Sequence, residues 1–435
     1  MALVMVMQIK RVAAKKWLYG CLIFLTMFGP KFGAFIDIIP ITCLVLLVTN
    51  TFKTNKIVGI NHTAILIAAY GIYSLFIIAI MNGVYDQWHI FQPWRALINY
   101  LGIVLIVKLM FDAGWNWRQV LSMVNISIYV HSLIVILTFL IPDLKYALFD
   151  LTGFIEKSYL RSPGLTHSYG ITSILTAMPF ILVYFVKNSL FSVKYDYLGL
   201  VVVFISLFLL ARVGLYLVPF LIFILLAVII FMRRFRFKYI AIIFTIIFTV
   251  YFSFQYLVDM DTGLLDGTGT MMAIFFNESI WHSLELVVAY LDGNYELKSF
   301  EEIGSFDYHN ETVLEYLFGT GEYGRGDRQY YLYTDISYAH FFSMVGIFGI
   351  ILLILIQISP YFIFFKSAPP LRFVFLVLTV VILVTNYKEA TFFTRNLFSL
   401  WCYFSACLYW DHKSKYKRGF SSKNTSINNL IKVPK

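Results

Sequence analysis

The chain has 435 residues, of which 60% are hydrophobic, 19% aromatic and only 13% charged, and its formal net charge is +10. A soluble globular domain carries about 25% charged residues, so a water-soluble protein is excluded. The basic surplus fixes orientation in a membrane protein, and no nucleic-acid partner is expected.

Apolar runs long enough to cross about 30 Å of hydrocarbon recur along the whole length, which predicts an all-α polytopic membrane protein. Twelve spans are expected, at roughly 17–30, 34–50, 61–82, 94–111, 119–141, 169–187, 197–211, 213–232, 239–258, 336–358, 372–386 and 397–410. They divide the chain into a bundle of about nine spans (1–258), a large polar loop (259–335), a further three spans (336–410) and a basic tail (411–435). The N-terminus has the basic region and short apolar run of a signal peptide. No small-residue cleavage site follows and a second span comes at once, so the segment is expected to be retained. The four cysteines all fall inside predicted spans, which argues against a disulfide framework and against a thiolate metal site.

Charge sets the expected topology. With the N-terminus in the cytoplasm, 23 of the 34 Lys and Arg residues and only three of the 24 acids fall on that side. The run from Tyr197 to Met232 tests this map. Lys194 before it and Arg233 after it both read as cytoplasmic, which requires an even number of crossings. Two spans with a hairpin at Arg212 fit. His131, in mid-span, reads as a residue hydrogen-bonded within the bundle or as a proton relay, and it is the best single sign of a transporter. The tail from Asp411 to Lys435 is polar and basic and is expected to be disordered.

The opposite face carries the chemistry. Six arginines fall there, Arg95, Arg161, Arg212, Arg325, Arg328 and Arg395, against the general trend of charge. Guanidinium forks bind phosphate oxygens bidentately, and do so best in partly dehydrated sites; the alternative is that they snorkel to headgroups or pair with nearby acids. Asp37, at the start of the second span, reads as a helix N-terminal acid or as a catalytic acid of an outer loop, as in some polyprenol-dependent glycosyltransferases. The stretch 142–168 is expected as an exposed segment.

The loop from Asp259 to Asp335 has structure of its own. Met271, Ile274, Phe275, Trp281, Leu284, Val288 and Leu291 recur at helical spacing, which predicts an amphipathic helix over the membrane surface. Gly319, Gly321, Gly324 and Gly326 permit tight turns close to a ligand. Tyr330, Tyr331 and Tyr333, beside Asp335, offer flat rings and acceptors suited to sugar. Asp259 and Asp261 have the spacing of a metal-binding pair, but the polar end of a helix is the stronger reading. No phosphate-binding loop or zinc-site spacing occurs.

Four stretches in order carry a resemblance: RSPGLTHSYGITS (161–173), ARVGLYL (211–217), LFGTGEYG (317–324) and YTDISYAHFFSMVGIFGIILL (333–353). The series resembles the Wzy-type O-antigen and capsular polysaccharide polymerases of bacterial envelopes. The related O-antigen ligases usually carry a His-Asn pair where this chain has Thr334-Asp335. The Arg-x10-Gly pattern of the polymerases is not matched, since Thr172 stands where the glycine would be.

The resemblance implies an O-antigen ligase-like, C-type glycosyltransferase fold in the bacterial inner membrane, with both termini cytoplasmic and the large loop periplasmic. It implies polymerisation of undecaprenyl-diphosphate-linked oligosaccharide repeats, with ligation or transport of lipid-linked sugars as the alternatives. No metal and no cofactor is implied. The bilayer, the lipid-linked oligosaccharide, a chain-length regulator and a flippase are the partners it suggests. Arg161, Arg212, Arg325 and Arg328 would hold the diphosphate, with Tyr323, Tyr333 and His167 as further substrate contacts. Asp335, His309 and Glu322, in that order, are the candidates for a general base.

Overall fold

The structure, a computed structural model, describes residues 16–32, 36–55, 58, 60–80, 87–152, 161–166, 168–186, 193–231, 312–321, 337–386 and 392–430. Among them helix dominates, and the helices fall where the apolar runs lie. In chain order they are α1 (Lys16–Phe28), α2 (Ile38–Thr54), α3 (His62–Ile80), α4 (Gln87–Asp112), α5 (Trp117–Leu140), α6 (Pro142–Thr152) and α7 (Tyr169–Ala177). They continue with α8 (Pro179–Val186), α9 (Val193–Phe208), α10 (Arg212–Phe231), α11 (Val313–Phe318), α12 (Ser337–Ile363), α13 (Pro369–Thr385) and α14 (Arg395–Leu430). One two-residue antiparallel pair, Lys31–Phe32 with Ile36–Asp37, joins α1 to α2.

Among the described residues, four stretches are long and apolar enough to cross a membrane by length and composition: Phe91–Asp112, Trp117–Leu140, Tyr169–Val186 and Phe341–Ile363. Several helices turn an apolar stripe outwards. Ile41, Leu44, Val45 and Val48 on α2 are exposed, as are Leu198, Val201 and Ile205 on α9 and Phe348, Ile351 and Leu355 on α12. Each set repeats at three to four residues, so each forms one face of its helix. Such stripes are unfavourable in water and suit contact with lipid. The protein is a helical membrane protein.

The core gathers around α14. Every residue from Asn396 to Leu408 is buried, so this stretch is covered all round, as expected of a central helix. Trp401, Tyr403, Phe398 and Phe404 are its largest buried side chains, and it packs on α4, α5, α7 and α13. Some polar groups inside pair across helices: Thr26 Oγ1 and Tyr403 Oη lie 2.5 Å apart, and Asn61 Nδ2 donates to Tyr100 Oη at 2.9 Å. Without water to compete, these contacts hold helix to helix.

Several expectations shift. The second span begins at Ile38 rather than near residue 34, because Asp37 accepts from Ile39 N (3.1 Å) and sets the cap there. The expected sixth span divides at Met178, just before Pro179, whose ring removes a donor from the ladder. The stretch 142–168 is not simply an exposed segment, since it opens with α6, whose Lys145 and Phe149 are buried. The tail continues as helix to Leu430 instead of being disordered from Asp411. Asp411 anchors its start, accepting from Ala368 N (2.7 Å) and pairing with Lys415 Nζ (3.0 Å). The hairpin read from charge is present: α9 ends at Phe208 and α10 starts at Arg212. The expected span 239–258 and the amphipathic stretch 270–291 lie outside the described residues.

Candidate functional site

The segment 161–166 is a loop tucked into the bundle. Ser162 N donates to Leu209 O (2.9 Å), and Ser162 Oγ lies 2.5 Å from Thr138 Oγ1 on α5. Thr166 Oγ1 donates to Pro163 O (2.7 Å), and its hydroxyl also meets that of Thr172. Gly164 sits at φ +62°, a left-handed turn that glycine adopts freely. A side chain there would also meet His131 Nε2 at 2.9 Å.

His131 explains that close approach. Its Nε2 accepts from Leu165 N (3.3 Å), and its ring stacks on Phe28, with centroids 4.2 Å apart and planes 9° apart. The imidazole is buried, so the loop leans on a fixed acceptor inside the bundle. A mid-span histidine is therefore used here as a structural partner for the loop that carries Arg161. The guanidinium of Arg161 lies over the Tyr169 ring, 5.9 Å from its centroid.

The loop and the helix that follows it, α7, each meet the α9–α10 hairpin. Beyond the Ser162–Leu209 bond, Gly214 N donates to Ser173 Oγ on α7 (3.0 Å). Gly214 lies so close to the Ser173 carbonyl that a Cβ would collide with backbone. The chain segments bearing Arg161 and Arg212 are thus brought side by side. Among the described residues this is the one pairing of sequence-predicted site segments; His167, His309, Glu322, Tyr323, Arg325, Arg328, Tyr333 and Asp335 lie outside them.

The described part of the long loop is its glycine turn. Thr312 and Glu315 form a capping box at the start of α11, which ends at Gly319. Beyond it the chain lies against a break in α12. At Gly346 the helix leaves helical geometry (φ 59°, ψ −171°). The carbonyls freed by the break are taken up: Ser343 O by Thr320 N (2.7 Å), Met344 O by Gly321 N (3.0 Å) and Val345 O by Tyr73 Oη (2.8 Å). Irregular backbone at membrane depth persists only where other protein groups satisfy it. LFGTG and MVG, two stretches that carry the resemblance, are here one contact.

A third constellation lies nearby, around Asp37. Arg395 Nη2 is 2.7 Å from Asp37 Oδ1 and 2.6 Å from Gly29 O, while Arg95 Nη1 is 3.7 Å from Asp37 Oδ2. Gly29 follows Phe28, so this cluster and the Arg161 loop flank the Phe28–His131 stack at one end of the bundle. The Asp37 carboxylate thus sits between two guanidiniums, one in direct contact and one at longer range. Asp37 caps α2, as a helix N-terminal acid does, and it also pairs with two arginines that its place in the sequence did not announce. Arg95 and Arg395 were visible in sequence only as two of six outer arginines. Nothing in the spacing of residues 37, 95 and 395 announces that they meet.

Among the described residues no three His, Cys, Asp or Glu side chains gather as a metal site. Comparison with protein-family models, with curated proteins and with solved structures finds no match to this chain.

Proposed function

We propose that this protein is a polymerase of undecaprenyl-diphosphate-linked oligosaccharide repeats, a metal-independent glycosyltransferase with about twelve spans. It works on the outer face of a bacterial inner membrane and builds O-antigen or capsular polysaccharide. The observation that carries the reading is the approach of the segments bearing Arg161 and Arg212: the Arg161 loop meets the α9–α10 turn through Ser162 N to Leu209 O (2.9 Å), and α10 meets α7, which follows that loop, through Gly214 N to Ser173 Oγ (3.0 Å). Two arginine-bearing segments that are far apart in sequence share one end of the bundle, as a diphosphate leaving group requires. Charge that develops on the leaving diphosphate as the glycosidic bond breaks is stabilised by fixed guanidiniums. The glycine turn at Gly319–Gly321, locked into the break in α12, ties the long loop to the bundle and fits a role in holding sugar. In this reading Arg325, Arg328, Tyr323, Tyr333 and His167 complete the substrate site, and Asp335, His309 or Glu322 takes the proton of the attacking hydroxyl.

The transporter alternative draws less support. It asks for charged groups along a path at mid-depth. His131 is engaged by Leu165 N, and Lys108 pairs with Asp112 one turn on (3.3 Å) near the end of α4. The ligase alternative differs only in its acceptor. In cells, Arg161→Ala and Arg212→Ala should abolish long polysaccharide while single repeats still reach the surface. Normal chain length in both variants sinks the proposal. A deletion strain separates the ligase, whose loss leaves polymer on the lipid carrier, from the polymerase, whose loss leaves one repeat.

A further inference from the structure

The constellation around Asp37 is more than an ion pair that ties loops together. Arg395 is the first residue of α14, and its side chain is nine-tenths buried, with 10% exposure. Its Nη2 serves both Gly29 O and Asp37 Oδ1, yet its Nε and Nη1 are buried with no hydrogen-bond partner. Asp37 Oδ1 is itself shared with Ile39 N (3.1 Å), and Arg95 stands 3.7 Å from the other oxygen, beyond hydrogen-bond distance. Arg95 Nη2 donates to Phe393 O at 3.3 Å. Phe393 adopts φ +55°, a left-handed turn held at the entrance to α14.

These features point one way. A guanidinium buried with unused donors is costly unless an acceptor arrives. The first turn of α14 adds unpaired N–H groups and the positive end of a long helix dipole. A structural staple would need one arginine and would use its whole fork.

We propose that Arg395, assisted by Arg95, binds the oxygens of a phosphate-class anion at this end of the bundle, with Asp37 holding both guanidiniums in place when no anion is bound. A lipid headgroup phosphate and a free or lipid-linked diphosphate share this chemistry. The site is separate from Arg161 and does not depend on the polymerase reading.

The full-length protein in nanodiscs tests it with two probes. In phosphatidylcholine nanodiscs, inorganic diphosphate is titrated by calorimetry into Arg161→Ala,Arg212→Ala protein, which weakens the other candidate anion site. Binding should remain, and adding Arg395→Gln should weaken it by about tenfold or more, as loss of a charge-assisted contact does. Asp37→Asn should tighten it, since a competing carboxylate is gone. In the second arm, replacing part of the lipid by phosphatidylglycerol, with no diphosphate present, should raise the thermal midpoint of the wild type more than that of Arg395→Gln if a headgroup is the source. If Arg395→Gln does not fold, Arg395→Lys and Arg95→Gln make the same comparison. Absence of a response in both arms overturns the proposal: no diphosphate binding by the Arg161→Ala,Arg212→Ala protein and no effect of phosphatidylglycerol. Polysaccharide length in cells, which tests the polymerase reading, is not read in this experiment.

Discussion

Gly319 and Gly346 lie backbone against backbone: a Cβ built on Gly346 would stand 2.5 Å from Gly319 N. The contact joins the end of the long loop to the break in α12. Both residues have positive φ, +84° and +59°. Alanine at either position would be strained and would also push against main chain, which cannot swing away as a side-chain tip can.

Gly319→Ala and Gly346→Ala should therefore each destabilise the protein by about 1–3 kcal/mol or more. Gly114 is the control: its φ is +88°, but a Cβ there meets nothing within 4 Å. Gly114→Ala should cost only about 1 kcal/mol, the strain alone. Thermal unfolding of the purified protein in detergent ranks the three, and equal losses would contradict the packing argument.

Tyr73 supplies the hydroxyl that satisfies Val345 O at the same break (2.8 Å). Tyr73→Phe keeps the ring and removes only that bond. The expected cost is about 0.5–1.5 kcal/mol, with faster amide exchange around Gly346. Unchanged exchange there would show that another group takes over the carbonyl.

His131→Ala should loosen the Arg161 loop. It leaves Leu165 N without its acceptor and removes the ring stacked on Phe28. The unmet donor alone costs about 1–3 kcal/mol. Under the polymerase reading, polysaccharide also shortens, although His131 touches no substrate. Chain-length profiles on gels alongside unfolding midpoints separate the two effects, and His131→Asn, which can still present an acceptor, should recover part of both.

Gly214→Ala drives a methyl group into the Ser173 carbonyl and forces α10 away from α7. That approach brings the segments of Arg161 and Arg212 together, so under the polymerase reading long polymer should disappear while membrane insertion persists. Protease mapping and immunoblotting check insertion. Full-length polymer from this variant would argue against a shared arginine site.

At the other end of the bundle His412 Nδ1 accepts from Lys366 N (3.3 Å). Burial lowers the His412 pKa below its ordinary value, neighbouring Lys366 lowers it further, and Asp411 opposes both. The folded state then binds fewer protons than the unfolded state just below about pH 6.5, so stability rises with pH through that window. The contribution is fully present above about pH 6.5 and is lost as pH falls through the depressed value. The stability difference between wild type and His412→Gln should shrink from about pH 8 to about pH 5. A difference that grows on acidification would reverse the sign.

The helices were legible because their signal is local. A run of apolar residues long enough to cross the bilayer is visible one residue after another, and the α9–α10 hairpin followed from counting crossings between Lys194 and Arg233. The exceptions were also local but depended on partners. Gly346 does not stop a helix by itself. It does so here because Thr320, Gly321 and Tyr73 arrive to satisfy the carbonyls, and those residues come from two other parts of the chain. The cap at Asp37 and the divide at Pro179 were readable in principle from residue type, though not their consequence for where each helix begins.

What the sequence alone determined is the class of protein: an all-α membrane chain with a basic surplus, since hydrophobicity and charge are properties of each residue. Which arginines share a site belongs to tertiary structure. Asp37, Arg95 and Arg395 meet only because α14 runs through the middle of the bundle and brings its first residue against the end of α1. Leu165 reaches His131 only because a loop folds inwards between α5 and α9. Such contacts depend on how helices pack, and packing is decided by the shapes of many side chains together, which no single stretch of sequence encodes.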